Sequence, residues 1–257
     1  MKKLIAFLIL SIFLTSRNSY GDEGHLSCLS SEETSCPHHI YFGPELFLFD
    51  LNTHVKHIKV DGLKCFGGLR LRYEYLKPEA FYAGIDLFSA VSPKSFHAKS
   101  QRYHFHQNNG ITGFGNFEFR LGYTFTCKNG IVSPFLGMGA YTFGNSGHHF
   151  HFRESMVYYT GGMRSLFELN CLFSLGMNWK VFRTDDTEQK FKYLFMGNKI
   201  KRTDHDNMWG GELGIPLVWH IGCTNRWEVQ LEPYFLKFDF SEVQNIYGAR
   251  LLFGCSF

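Results

Sequence analysis

The sequence predicts an all-β protein, an antiparallel transmembrane β-barrel of about ten strands (eight as the alternative) with both termini on one side. Three observations carry this expectation. The last twelve residues, IYGARLLFGCSF, place Tyr247, Ala249, Leu251, Phe253, Cys255 and Phe257 on one side of a strand. Gly248, Arg250, Leu252, Gly254 and Ser256 fall on the other, because side chains alternate with period 2. Such a strand suits lipid on one face and a polar interior on the other. Second, the body of the chain reads as hairpins in which short turns alternate with longer connections. Third, no segment approaches the ~20 apolar residues of a spanning helix, so any insertion must use strands.

Met1-Lys2-Lys3 is followed by an apolar run from Leu4 to Leu14, broken only by Ser11, and Ser19-Tyr20-Gly21 offers small residues at a cleavage site. This pattern predicts an export signal peptide over residues 1–21, removed before Asp22. Cys28 lies too far along for lipoprotein processing. A polar segment, 22–39, then leads into the barrel, 40–257. The roughly 235 residues left after cleavage suit one large domain.

Strands are expected at 40–50, 63–76, 80–90, 114–126, 131–144, 156–169, 171–182, 208–221, 227–240 and 246–257. Lys77-Pro78-Glu79, Cys127-Lys128-Asn129-Gly130 and Cys223-Thr224-Asn225-Arg226 mark short turns, Asn129-Gly130 most clearly because both residues tolerate positive φ. A turn around Asn170 would divide 156–182 into two strands; an irregular loop there would change the count. The longer connections are 51–62, 91–113, 145–155, 183–207 and 241–245.

Aromatic residues make up 18% of the chain, with 28 Phe and 13 Tyr, which suits girdles at two lipid–water interfaces. The formal net charge of +3 is small and unclustered, so a nucleic-acid partner is not expected. Phe117, Phe119, Leu121, Tyr123 and Phe125 alternate cleanly with Glu118, Arg120, Gly122, Thr124 and Thr126. A soluble β-sandwich would alternate too, but it leaves the signal peptide and the short–long loop alternation without a common cause.

The polar faces gather Glu45, Arg70, Arg72, Glu74, Asp86, Glu118, Arg120, Arg164, Glu168, Lys180, Glu212, Glu228, Gln230, Glu232 and Arg250. Both signs occur in similar number. Inside a narrow barrel these charges must pair, since an unpaired buried charge is very costly. A lumen filled by a charge network is therefore expected, with a narrow polar channel as the alternative.

The terminal Phe257, preceded by apolar residues at every second position, resembles the closing strand of bacterial outer-membrane β-barrels, where it serves as an assembly signal. The resemblance implies periplasmic termini and short turns, surface-exposed longer loops, and a bacterial outer-membrane location. Its partners would be outer-membrane lipid, lipopolysaccharide and the barrel assembly machinery. Ten strands is also the size of the omptin family, outer-membrane proteases that use acidic residues and a His at the outer rim. Asp204-His205-Asp206 sits in the right kind of loop, yet neighbours along a strand point oppositely and no second carboxylate pair accompanies them. Barrel-type lipid A deacylases use a His and a Ser on the outer wall, and no matched motif is visible. An outer-membrane hydrolase is thus the less favoured reading.

Nine of the 13 histidines fall in the longer connections, including the pairs His104-Phe105-His106 and His149-Phe150-His151. Imidazole pairs suit zinc or copper, but no acid or Cys stands beside them at ligand spacing, so neither a metal nor another cofactor is expected. Of the seven cysteines, Cys28, Cys36, Cys127, Cys171, Cys223 and Cys255 gather at one rim in this topology, with Cys65 apart. An oxidising periplasm permits disulfides, although turns around a ring exceed the Cα separation of about 7 Å that a disulfide allows. An odd count leaves a free or intermolecular thiol. The pattern resembles the cysteine-rich outer-membrane proteins of chlamydia-type bacteria, whose envelopes are cross-linked by disulfides; it implies disulfide-linked envelope partners. The expected role is envelope structure or surface interaction.

Overall fold

The computed structural model describes residues 37–55, 58–93, 97–100, 105–107, 110–147, 150–170, 172–193, 199–204, 208–221, 227–239 and 243–257. The expected signal peptide, residues 1–21, and nearly all of segment 22–39 lie outside the described residues.

The strands, in chain order, are β1 (His38–Val55), β2 (Ile58–Leu76), β3 (Ala80–Ser92), β4 (His97–Ser100), β5 (Phe105–Gln107), β6 (Gly110–Cys127), β7 (Gly130–Gly147), β8 (Phe150–Asn170), β9 (Phe173–Tyr193), β10 (Lys199–Asp204), β11 (Trp209–Gly214), β12 (Leu217–Ile221), β13 (Trp227–Asp239) and β14 (Val243–Ser256). Every pairing is antiparallel, and the sheet closes because β1 pairs with both β2 and β14. β11 and β12 are two halves of one stave between β9 and β13. Pro216 interrupts it, having no N–H to give the ladder; its carbonyl still accepts Gly176 N at 2.8 Å. β4, β5 and β10 extend hairpins beyond the cylinder. The result is a closed antiparallel barrel of ten staves.

The ends of the described chain meet in the wall. Phe257 N donates to His38 O at 2.9 Å, and the two rings stack with centroids 5.4 Å apart. At the same end, Asn170 Oδ1 accepts from Leu172 N (2.9 Å) and Phe173 N (3.0 Å). That side-chain cap makes 156–182 two strands. Glu79 adopts φ 52° in the turn after β2, and its carboxylate accepts Thr126 N of the neighbouring hairpin at 2.7 Å.

At the other end the structure corrects the expected loops. Much of 51–62, 91–113, 145–155 and 183–207 is strand, and β8 and β9 each run 21 residues. Backbone pairing continues there, but the outward face turns polar beyond the level of Tyr159, Trp209 and Tyr247, and the alternation that marks a strand in sequence fades.

The outward face is apolar and exposed, with Leu71, Leu87, Leu121, Leu136, Leu213 and Leu251 around its middle. Trp219, Trp227, Phe81, Phe125 and Phe257 ring the short-turn end, and Tyr159, Trp209 and Tyr247 mark the other. Trp209 and Trp219 stand on one stave, ten residues apart. At about 3.3 Å per residue and a tilt of about 40° they span roughly 25 Å, the height of a lipid-facing band.

The inward face overturns one expectation: it is not simply polar. Phe47, Phe49, Phe66, Phe88, Phe114, Tyr141, Phe143, Phe152, Phe182 and Phe238 belong to a buried cluster inside the long-hairpin half. Many of the phenylalanines read as girdle residues are lumen filling. Phe49 is fully buried and meets Phe143 edge-on at 5.3 Å. A smaller cluster of Leu76, Tyr82 and Phe135 fills the short-turn end. Phe49→Ala should lower barrel stability by about 3–5 kcal/mol, the usual cost of deleting a buried aromatic ring, as read from urea unfolding midpoints of the lipid-reconstituted protein.

Candidate functional site

Between the two apolar clusters lies a layer of charge. Alternation brings one to three inward positions of each stave to this level, and every stave except β7 contributes a charged side chain among the described residues. Six cations (Arg70, Arg72, Arg120, Arg164, Lys180, Arg250) meet six carboxylates (Glu45, Glu74, Asp86, Glu118, Glu212, Glu232). Their charges balance.

Asp86 of β3 is the hub on one side. Its carboxylate receives Arg70, Arg72 Nε at 3.1 Å and Arg120 Nη2 at 3.7 Å. Arg70 Nε also donates to Glu45 Oε2 at 2.6 Å, and Arg120 Nε to Glu118 Oε1 at 2.5 Å. Arg250 of β14 is the hub on the other side, reaching Glu212 Oε1 (2.5 Å), Glu232 Oε1 (3.3 Å) and Glu45 Oε2 (3.4 Å). Lys180 joins Glu118 (2.5 Å) to Glu212 (3.0 Å), and Arg164 pairs with Glu74. The network thus spans the lumen as well as following its wall.

Tyrosines couple the charges to the apolar layers. Tyr158 donates to Glu118 Oε2 at 2.7 Å, Tyr82 to Glu74 Oε1 at 3.2 Å, and Tyr234 to Glu45. The Arg250 guanidinium lies 3.8 Å from the centroid of the Tyr234 ring, and Arg70 lies 4.7 Å from that of Phe88. Such cation–π seats strengthen when water is excluded. Gly248 makes room for the Tyr234 ring: a Cβ there would sit 2.6 Å from it.

A cavity of about 40 Å³ remains between charges and aromatic cluster, lined by Glu45, Arg70, Asn116, Tyr141, Glu212 and Arg250 among others. It holds roughly three waters. Glu168 does not join the network; it sits half-buried beside the Asn170 turn. Gln230 is fully buried and donates to Glu232 at 2.9 Å.

Glu228 belongs to a separate group at the short-turn mouth that residue patterns do not reveal. Its carboxylate accepts Tyr41 OH at 2.7 Å and stands 3.4 Å from His39 Nδ1 and 4.0 Å from His220 Nδ1. Ser174 Oγ lies 2.9 Å from His220 Nε2. The residue types are those of a hydrolytic triad, but Ser174 is fully buried and the His220–Glu228 separation exceeds a hydrogen bond. The group closes the mouth as a clasp joining β1, β9, β12 and β13.

Cys65 and Cys127 are exposed and Cys255 partly so, and all three are free thiols. Cys28, Cys36, Cys171 and Cys223 lie outside the described residues, as do His57, His104, His148, His149, His205 and Asp206. His151 accepts or donates a hydrogen bond with Ser146 at 2.9 Å. No group of three or more His, Cys, Asp or Glu among the described residues is arranged to hold a metal ion.

No family model matches the chain, and no curated protein matches it in sequence. Solved structures do resemble it. The outer-membrane protease OmpT of Escherichia coli superposes with a TM-score of 0.58 at 8% identity, over 86% of this chain and 96% of that one. The translocator domain of the autotransporter NalP of Neisseria meningitidis gives 0.48 at 10% identity over 98% and 97%. Ail of Yersinia pestis gives 0.40 at 14% identity over 86% and 97%. At these identities the likeness to OmpT shows the fold alone.

Removing one hub should expose the interdependence of the network. Asp86→Ala leaves Arg70, Arg72 and Arg120 without their shared counter-charge, and breaking such a buried pair costs about 3–5 kcal/mol. The variant should refold poorly, or melt well below wild type, when followed by heat-modifiable migration on gels.

Proposed function

We propose that the protein is a bacterial outer-membrane barrel with a closed lumen, acting through its surfaces in envelope structure or surface interaction. The observation that carries this reading is the filling of the lumen. Aromatic, charged and aromatic layers follow one another along the axis, and the space left at their boundary admits only a few waters. A balanced ion-pair layer favours closure, because a conducting pore needs water or a field of one sign where these side chains neutralise one another. The lipid-facing band and its two aromatic girdles support insertion by strands. In this reading residues 1–21 direct export, the short turns and both ends of the barrel chain face the periplasm, and Phe257 is read by the assembly machinery. A small solute channel is the alternative, and an outer-membrane hydrolase the lesser one.

Planar-bilayer recording separates the first two. Purified wild-type protein should give little or no stable conductance. Large, reproducible single-channel steps would put the channel reading first.

The cysteines extend the proposal to partners. In the topology expected from sequence, Cys127, Cys171 and Cys223 fall at different short turns around the ring, so in an oxidising periplasm they would react with neighbouring envelope proteins more readily than with one another. Protein extracted with thiols blocked should run partly as high-mass species on non-reducing gels and collapse on reduction. Replacing these three cysteines by Ser should remove most of the ladder and leave barrel folding intact. A ladder that survives the replacement counts against cross-linking through the turns.

A further inference from the structure

The hairpins beyond the upper girdle carry a feature that neither lumen nor lipid band uses. There β7, β8, β9 and β10 run on together as one sheet, in which Gly144 and Ser146 of β7 pair with Arg153 and His151 of β8. Arg153 of β8 pairs with Lys190 of β9, and Lys190 with Lys201 of β10. Two residues further out, His151 pairs with Lys192, and Lys192 with Lys199. Directly opposed residues share a face of a sheet, and so do residues two apart along a strand. These six positions therefore lie on one face, and the row between them, Phe152, Phe191 and Ile200, belongs to the other.

Burial on β8 tells which face is which. Phe152 is buried and Arg153 exposed. The cationic positions thus continue the outer wall, along the line of Tyr159, Val157 and Ser155. Acidic positions on this face, Asp186 opposite Val157 and Glu188 opposite Ser155, come in the rows nearer the membrane. The two outer rows hold none.

Like charges directly opposite one another destabilise a sheet. Here the register positions of five permanently charged residues fall within an area of about 10 by 7 Å, from strand spacing and rise. A bound polyanion would turn that repulsion into attraction. Height selects which polyanion. Arg153 is six residues beyond Tyr159, which is roughly 15 Å along the axis at a tilt of about 40°. Phospholipid headgroups reach only about 5–8 Å past the hydrocarbon, so the rows stand at the level of sugars carried on lipids.

We propose that this face binds an acidic saccharide, the phosphorylated or carboxylated sugar chain of a glycolipid anchored in the leaflet around the barrel. A chain rising from that leaflet runs along the outward wall, where the cations are. The proposal rests on the outer-membrane reading with the long hairpins facing outward.

The test uses the full barrel refolded into neutral phosphatidylcholine vesicles, with insertion checked by heat-modifiable migration and protease protection before any ligand is added. It is titrated with lipopolysaccharide, with the saccharide released from lipopolysaccharide by mild acid, and with heparin. Lipopolysaccharide and its saccharide should bind, more weakly as salt rises, and K190A/K192A/K199A/K201A should lose at least about tenfold in affinity. Lys190→Glu is the second variant. It sets a carboxylate between the register positions of Arg153 and Lys201, so it should stabilise the sheet to heat while weakening binding, a combination no folding defect produces.

Unchanged affinity in either variant overturns the proposal. Heparin bound as tightly as lipopolysaccharide, with the same losses, overturns the glycolipid assignment in favour of a soluble acidic glycan. Failure of the wild type to insert overturns the membrane reading and this proposal with it, and is seen before the titration begins.

Discussion

Mutual neutralisation of charges sealed inside the cylinder is the constraint on which the rest of the structure depends. A guanidinium sealed inside the barrel has at most a few waters beside it, so its counter-charge must come from neighbouring side chains, most of them on other staves. Arg72 illustrates the consequence. It meets Asp86 on the adjoining β3 and Glu232, 160 residues away on β13, across the lumen. Such bonds fix how the staves are staggered as well as that they close. If β13 slipped by one residue, Glu232 would move to the outer face and Leu231 would replace it inside.

The aromatic layers follow from that arrangement. Tyr158, Tyr82 and Tyr234 each present a hydroxyl to the charge layer and a ring to the apolar layer beside it. They let the dielectric change along the axis without leaving a carboxylate short of donors. Glycines such as Gly248 hold open the space that these rings occupy. The short-turn end is finished differently, by the Tyr41, Glu228, His39, His220 and Ser174 clasp.

Period 2 made much of this legible. The parity of Arg70, Arg72 and Glu74, or of Glu228, Gln230 and Glu232, assigns them to one face without any structure. The partners could not be read, because they lie on staves remote in sequence. The aromatic cluster is legible by the same rule: Phe47 and Phe49 share the parity of Glu45, Phe88 that of Asp86, and Tyr234 and Phe238 that of Glu232. A phenylalanine is equally at home in lipid and in a packed lumen, so residue type misleads where parity decides. Strand ends were shortened because the outward rows past Tyr159 and Trp209 no longer contrast with the inward ones. Glu168 has the composition of a network residue but lies too near the Asn170 turn to reach a cation of the central layer.

Pro216 divides one stave into β11 and β12, six and five residues long, between strands of 21 and 13. A barrel wall is held by its rungs, and here they are thinned: Pro216 has no N–H to give, so the join is carried by Gly176 N donating to Pro216 O at 2.8 Å toward β9 and Ile215 N donating to Pro233 O at 3.0 Å toward β13. Gly176 leaves room for the Pro216 ring, which would lie 2.8 Å from a Cβ on the glycine. The cylinder therefore has a seam. Thermal opening of the wall, which needs the fewest bonds broken together, has its easiest starting point at β9–β12. The seam lies between the buried Ser174–His220 contact and Glu232 of the charge layer, so an opening that starts there reaches the mouth and the central charges together.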